Sequence, residues 1–367
     1  MLGNIKTSID LILLKITLIS LLVFKLSTLK LWLVTERIFP IISISEHLEI
    51  LNTYFHNSIA GISFLCILIL IFKYKKSILL VLIISEFLLL ATDVMRWQPA
   101  VYQFLISFIV YYISPKYFKS YLLLLLSATY VLSGLQKLNL RFINMHWSRH
   151  ILMDFMHFPY EYTTNRFVKF LGFSVGLAEF FSGLLLLTKW RKKGLLLAMF
   201  THIFILSFIT SFGGFTHSFP IWFWNLTMLT YLIILFYNSE FFKLKRNAFN
   251  GMFIIIIFVL PFLNFFEKYY PYFSFDLYSG DKYRLYINAE LDKNQLELNA
   301  YSDYKSTYFL SENINTLAHG ELNVPVTHSK WLFNRCISAI ERDYPDLQPC
   351  YEISYYPYYS KELYLAD

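Results

Sequence analysis

Long apolar runs recur along the first 266 positions, and they constrain the fold more than any other feature of the chain. They fall at about 11–34, 54–73, 77–92, 99–114, 119–136, 167–188, 194–211, 218–237 and 249–266. Inside a bilayer a backbone must satisfy its own hydrogen bonds, so runs of this kind read as membrane helices. Several are shorter than the roughly 20 residues that cross a bilayer comfortably, and are expected to stand upright or extend into their flanks. Charged residues make up 16% of the chain, against roughly 25% in soluble proteins. The expectation is an all-α polytopic membrane helix bundle of about nine spans over 1–270, with lipid as its first partner. The net charge of +7 reads as loop lysines rather than a nucleic-acid footprint, because no basic face interleaved with aromatics lies outside the loops. The amino terminus is not a clean secretory signal: Lys15 and Lys25 interrupt its apolar run and no small-residue cleavage site follows. Those lysines, with Lys30, also predict a first span that is partly interfacial.

Loop charge sets the expected orientation. Lys73, Lys75 and Lys76, then Lys116 and Lys119, then Lys189, Arg191, Lys192 and Lys193, then Lys243, Lys245 and Arg246 occupy successive loops on one side of a nine-span chain. Positive loops stay in the cytoplasm, so the amino terminus is expected inside and the carboxyl-terminal tail outside. The segment 137–166 is basic yet lies on the outer side, and a basic segment there calls for a site.

That segment opens with an abrupt change of character. Tyr130 to Arg149 begins apolar, then gathers Lys137, Asn139, Arg141, Asn144, His146 and Arg149. Lys137 has two readings. It either snorkels to a headgroup from a helix end, or is desolvated there, which favours the neutral amine and makes it a base. Ionisable groups within spans are costly and each is a functional candidate. Glu179 lies within GLAEFFSGLLLL and His202 within AMFTHIFILSF. A Glu–His pair on neighbouring helices either holds a bundle together or moves protons. Asp93 and Arg96, beside Trp97 and Gln98 at a helix mouth, either pair with each other or serve a site. Asn225, after Trp222 and Trp224, suits packing as well as binding. His146, His150 and His157 are irregularly spaced with no paired Cys or carboxylate pattern, so no metal is expected.

The tail, 271–367, is different material and is expected to form a small extracytoplasmic α+β domain. DKYRLYINAELDKNQLELNAY alternates apolar and polar residues as strands do. HSKWLFNRCISAIERDYP places Trp331, Leu332, Cys336, Ile337 and Ile340 on one helical face, and the tyrosine-rich end reads as extended. Cys336 and Cys350 are spaced to permit a disulfide in an oxidising compartment. Heavy use of Lys, Ile, Asn and Tyr points to a bacterial source, and hence to an inner membrane.

Several of these stretches carry a family resemblance. SGLQKLNLRFIN resembles the aliphatic–Gly–x–x–Lys–Leu–Asn/Asp motif of HTTM (horizontally transferred transmembrane) domains, the membrane region of vitamin K-dependent gamma-carboxylases. GLAEFFSGLLLLTKWRKKGLLLAMFTHIFIL is similar to that family's glutamate-bearing helix, basic turn and histidine-bearing helix, and DVMRWQPAVYQF to the opening of an earlier helix. The resemblance covers about residues 15–265. It implies a lysine base, matched by Lys137, that deprotonates a reduced, vitamin K-like quinone. Glu179, His202 and Asp93 would support it, and Arg96, Trp97, Gln98, Asn139, Arg141, His146 and Asn225 would line the substrate or quinone site. The product would be a modified secreted peptide or small molecule. Gln136 stands where the carboxylases have another lysine, Pro99 and Ala100 near where they have Asn and His, and the tail is similar to that of uncharacterised bacterial relatives. Two other readings stay open. One is a quinone-linked redox subunit resembling the DoxX and MauE proteins, although the chain has no CxxC. The other is a non-enzymatic anchor that presents the tail to a partner.

Overall fold

Helices occupy each of the nine apolar segments in the computed structural model, which describes residues 8–35, 37–49, 51, 53–211, 218–238, 248–290, 309–345, 350–357 and 360–364. They are α1 (Ile9–Ser27), α2 (Thr53–Phe72), α3 (Lys76–Thr92), α4 (Pro99–Ile113), α5 (Phe118–Gln136), α6 (Phe173–Leu186), α7 (Arg191–Ser211), α8 (Phe219–Tyr237) and α9, which begins at Ala248–Ile254. The last continues through a π-turn at Ile255–Val259 to Phe266. Six stretches are long and apolar enough to cross a membrane: Thr53–Phe72, Pro115–Gln136, Arg166–Leu186, Arg191–Ser211, Phe219–Tyr237 and Ala248–Phe266. The chain is a multi-pass membrane protein by that measure. Its apolar side chains face outward along much of α2 and α3, as at Leu65, Phe72, Ile84 and Phe87. Soluble proteins rarely expose apolar stripes of this extent, whereas lipid tails match them.

The centre of the bundle is α5. In its stretch 78% of residues are buried, against 22–44% for the other five. Against it α6 packs at backbone distance: a Cβ on Gly134 would sit 2.6 Å from the Gly176 carbonyl oxygen, and one on Gly183 would sit 2.7 Å from that of Ser127. Small residues permit such close approach, which supplies the van der Waals contact that holds helices together where lipid offers no hydrophobic drive. Ser127 Oγ adds a bond to the Gly183 carbonyl, at 2.7 Å.

Among the described residues the tail forms a four-stranded antiparallel sheet, order β2-β1-β3-β4, from β1 (Tyr283–Glu290), β2 (Phe309–Asn313), β3 (Cys350–Tyr355) and β4 (Ser360–Tyr364). Helices α10 (Ile314–Leu322) and α11 (Lys330–Asp343) lie between the second and third strands in sequence. The expected strand over 281–290, the helix and the extended end are present, and α10 is an addition. Buried positions on α11 are Leu332, Phe333, Cys336, Ala339 and Ile340. Trp331 lies off that face, 43% exposed, and stacks on Trp97 at 5.9 Å. Cys336 is a buried free thiol that burial pushes up from its ordinary pKa. The Cys350 side chain lies outside the described residues, as do residues 212–217, the basic stretch of Lys243, Lys245 and Arg246, and 291–301 of the expected strands.

The tail is bonded to one end of the bundle. Glu321 accepts from the backbone of Ile38 and Phe39, at 2.7 and 2.5 Å. Tyr344 donates to Ile38 and Asn323 to Ser27. Gln98 donates to Pro325, and Asn144 to the Tyr356 hydroxyl. The loops after α1, α3 and α5 therefore share that end. The loops after α2 and α4 lie at the opposite end, where Tyr74 meets Tyr111 and Asp10 accepts from the Lys119 backbone.

Candidate functional site

Four residues of α5, Tyr130, Ser133, Gly134 and Lys137, fall three, four and seven apart and so share one helical face. Gly134 lets α6 close on that face, and the approach brings Glu179 onto Lys137. Lys137 Nζ lies 2.8 Å from Glu179 Oε2 and 2.6 Å from Ser133 Oγ. Ser133 Oγ in turn donates to the same carboxylate oxygen at 2.8 Å. The two charged side chains are 9% and 5% exposed. This is a closed ion pair with a hydroxyl across it, and Lys137 does not reach out to solvent. The cost of desolvating both charges is offset only by such geometry, and removal of one partner would strand the other.

His202 belongs to a second arm on the same face. Its Nε2 lies 2.7 Å from the Tyr130 hydroxyl and its Nδ1 2.8 Å from Asn225 Oδ1. Asn225 Nδ2 donates to the Ile221 carbonyl, at 2.8 Å. With that amide orientation Nδ1 of His202 carries the proton and Nε2 accepts from Tyr130. The expected Glu–His pair is thus replaced by two pairs, Glu179 with Lys137 and His202 with Asn225. Tyr130 and Ser133, one turn apart, set them side by side.

Beyond Lys137 the chain turns through Asn139, whose Nδ2 donates to the Gln136 and Ser279 carbonyls and whose Oδ1 accepts from Phe142. This bonding ties the exit of α5 to the tail. Arg141 packs against Gly280, whose positive φ of 92° and lack of a Cβ allow the contact. Within the basic segment 137–166 lies a π-helix, Phe142–Phe155. It seats part-buried His146 among Phe142, His150 and Tyr278. Burial, reinforced by the charges of His150, Lys137, Arg284 and His328, holds the His146 imidazole down to about 3, so it is neutral at physiological pH.

Asp93 and Arg96 lie in a different cluster. Asp93 Oδ2 takes Arg37 Nη1 at 2.5 Å, and Arg96 Nε stands off at 3.9 Å. Arg96, fully buried, spends its guanidinium on the carbonyls of Leu31 and Leu89 and on Thr92 Oγ1. These bonds hold the 28–42 loop to the end of α3. Trp97 stacks on Phe273 at 5.0 Å, and Gln98 bonds the tail. Of the candidate residues, then, Lys137 and Glu179 meet directly, and His146 lies within reach of the Lys137 charge. His202 and Asn225 share the adjacent arm, while Asp93, Arg96, Trp97 and Gln98 fasten the tail-facing end.

Sequence reasoning missed a further ion pair. Lys25 Nζ lies 2.6 Å from Glu86 Oε1 and 2.7 Å from Ser63 Oγ, and 4.0 Å above the Trp32 ring. Ser63 also donates to Glu86. Both charged side chains are closed to solvent, 0% and 1% exposed. The first helix is therefore not interfacial at Lys25. The available signal was two opposite charges in separate apolar runs. Among the described residues no group of three or more His, Cys, Asp or Glu is placed to hold a metal ion.

Comparison with protein-family models, with curated proteins and with solved structures gave no match.

Proposed function

We propose that this chain is a nine-span membrane protein, amino terminus cytoplasmic and tail extracytoplasmic, whose Lys137–Glu179 pair transfers protons to and from a lipid-soluble substrate of the quinone class. The observation that carries the reading is the enclosed Lys137–Ser133–Glu179 triad at the tail-facing end of the most enclosed helix. The positive loops at the opposite end support the orientation. In a low-dielectric site a proton can pass from Lys137 Nζ to Glu179 Oε2 and leave a neutral amine beside a carboxylic acid. Two charges are thereby removed from apolar surroundings. The amine then takes a proton from an acidic hydroxyl such as that of a reduced quinone, as the resemblance to the carboxylases implies. The Tyr130–His202–Asn225 arm fixes the face of α5 on which this happens. The tail, as a small α+β domain over 271–367, closes the site from water and is the surface that would meet a secreted peptide.

Binding of a soluble menaquinone analogue to the purified protein, followed by quenching of tryptophan fluorescence, tests the reading. Saturable quenching in the wild type that is weakened at least about tenfold by Lys137→Ala and by Glu179→Gln is expected. Equal binding by all three proteins removes Lys137 from the site. The bonds from Glu321, Tyr344 and Gln98 to the bundle favour a second reading, an anchor that presents the tail to a partner. Full function of the tail on an unrelated membrane anchor would establish that reading instead.

A further inference from the structure

The apolar stretch Arg166–Leu186 has 21 residues, in which a short helix, Arg166–Leu171, leads through Gly172 into α6. At ~1.5 Å per residue it is about 31 Å long, close to the roughly 30 Å of a bilayer's hydrocarbon. Its two ends therefore lie at the two membrane surfaces. Beyond Leu186, exposed Trp190 stands beside Lys189 and Lys193. At the tail-facing end are Arg166 and Lys169, preceded by exposed Tyr160 and Tyr162. Tyr54, at the same end of α2, is exposed as well. Tyrosine and tryptophan collect at membrane surfaces, where the ring meets lipid and the polar atom meets headgroups.

The Arg166–Leu171 helix sorts its side chains. At about 100° per residue, Lys169 and Arg166 share one flank, Phe170, Phe167 and Leu171 follow on the next, and Val168 falls opposite. Trp147 Nε1 donates to the Val168 carbonyl at 2.8 Å and ties this helix to the π-helix. Asn165 caps it by accepting from the Phe167 and Val168 backbone. Gly172 closes the seam, since a Cβ there would lie 2.6 Å from the Trp147 ring. The exposed flanks are thus held in place. Phe167 and Phe170, each 69% exposed, continue the outward row of Leu177, Phe181 and Leu184 on α6, the surface that lipid covers. The cations beside that row are not neutralised by this chain. Glu161 is the one carboxylate between Asp154 and Glu179 in sequence. Among the described residues neither Arg166 nor Lys169 pairs with it or with another acid.

We propose that this corner of the molecule binds net-negative phospholipid headgroups in the leaflet on the tail side. Arg166 takes the phosphate through the paired N–H groups of its guanidinium, and Lys169 adds a point charge. Phe167 and Phe170 lie along the acyl chains, and Tyr160 and Tyr162 sit at the headgroup boundary. A zwitterionic lipid carries its own ammonium near the phosphate, so an anionic headgroup gains more from two unneutralised cations. Lipid phosphate then matches positive charge that the proposed orientation puts on the side where it is scarce. The inference is independent of Lys137, because α6 turns Gly176 and Glu179 to α5 and the row of Leu177 and Phe181 outward.

A nitroxide on Tyr162→Cys reads this corner locally, in protein with Cys350→Ser; Cys66 and Cys336 are buried. In vesicles of phosphatidylcholine and phosphatidylglycerol, a water-soluble nickel chelate is expected to relax this label less than one on exposed Asn334→Cys of α11. In detergent, short-chain phosphatidylglycerol should immobilise the Tyr162→Cys label at a concentration at least about tenfold below that of short-chain phosphatidylcholine, since each cation near an anionic headgroup contributes about fivefold. Arg166→Gln with Lys169→Gln should bring the two concentrations together, while Arg166→Lys should keep them apart. Neither side chain is buried, and circular dichroism checks that the variants fold. Equal response of the wild type to the two lipids, or an unchanged preference in the folded double variant, overturns the proposal. Nickel access equal to that at Asn334→Cys overturns it too, as does inorganic phosphate that reproduces the effect at the same concentration.

Discussion

Replacing Gly134 by alanine tests how the site is assembled. The new Cβ would lie 2.4 Å from the Phe180 backbone nitrogen and 2.6 Å from the Gly176 carbonyl oxygen. Ordinary contact begins at 3.4 Å, so α6 would have to retreat by about 1.0 Å, since backbone, unlike a side-chain tip, cannot swing away. Glu179 rides on α6, and its 2.8 Å bond to Lys137 would stretch beyond hydrogen-bonding range. Overpacking alone costs about 1–3 kcal/mol, and loosening a buried pair adds to it. Gly61 and Gly251 are matched controls, because a Cβ on either meets nothing within 4 Å. Alanine there should be neutral or stabilising by up to about 1 kcal/mol through helix propensity. The assay is thermal unfolding in detergent, read by circular dichroism, for G134A, G61A and G251A. The expected result is a clear loss for G134A alone. Wild-type stability of G134A would refute the close seam and, with it, the account of how Lys137 meets Glu179.

Two further outcomes follow from the charges. Lys25→Met should destabilise by about 3–5 kcal/mol because it strands Glu86, while Lys25→Met with Glu86→Gln should recover most of that, and a double-mutant cycle reads the difference. Burial raises the Asp276 carboxyl, but the His328 charge and bonds from His328, Ser279 and Asn264 outweigh it and leave the group below its ordinary value. Its contribution to tail docking is therefore complete above the unfolded carboxylate value of about 3.9 and is lost as pH falls through the lower folded one. Protease release of the tail should rise in that acid range for the wild type and stay flat for Asp276→Asn.

Much of the bundle could be read in the sequence, because lipid imposes one rule on every span. Apolar length marked α1 to α9, and a polar break at Lys75 or Asp93 marked where each turned. Helix rotation about its axis leaves no such trace. Glu179 and His202 each stood out as costly, yet which neighbour each faced depended on a seam of three glycines and on Tyr130 and Ser133, residues common in any span. Lys25 looked interfacial because its partner Glu86, in another apolar run, is brought to it only by packing. The π-helix left no trace in the sequence, because His146, His150 and Asp154, four apart, share a face in an ordinary α-helix as well. In the tail, alternation located β1, but Trp331 was assigned to the α11 core when its stacking partner, Trp97, lies on the bundle.

The central claim is that Lys137 marks a site for a lipid-soluble ligand. Mass spectrometry of quinones and lipids extracted from purified wild type beside Lys137→Ala tests it most directly. The account predicts a quinone-class molecule bound by the wild type and lost in the variant with the fold intact. Retention of that molecule by Lys137→Ala, or its absence from both proteins, would contradict the claim.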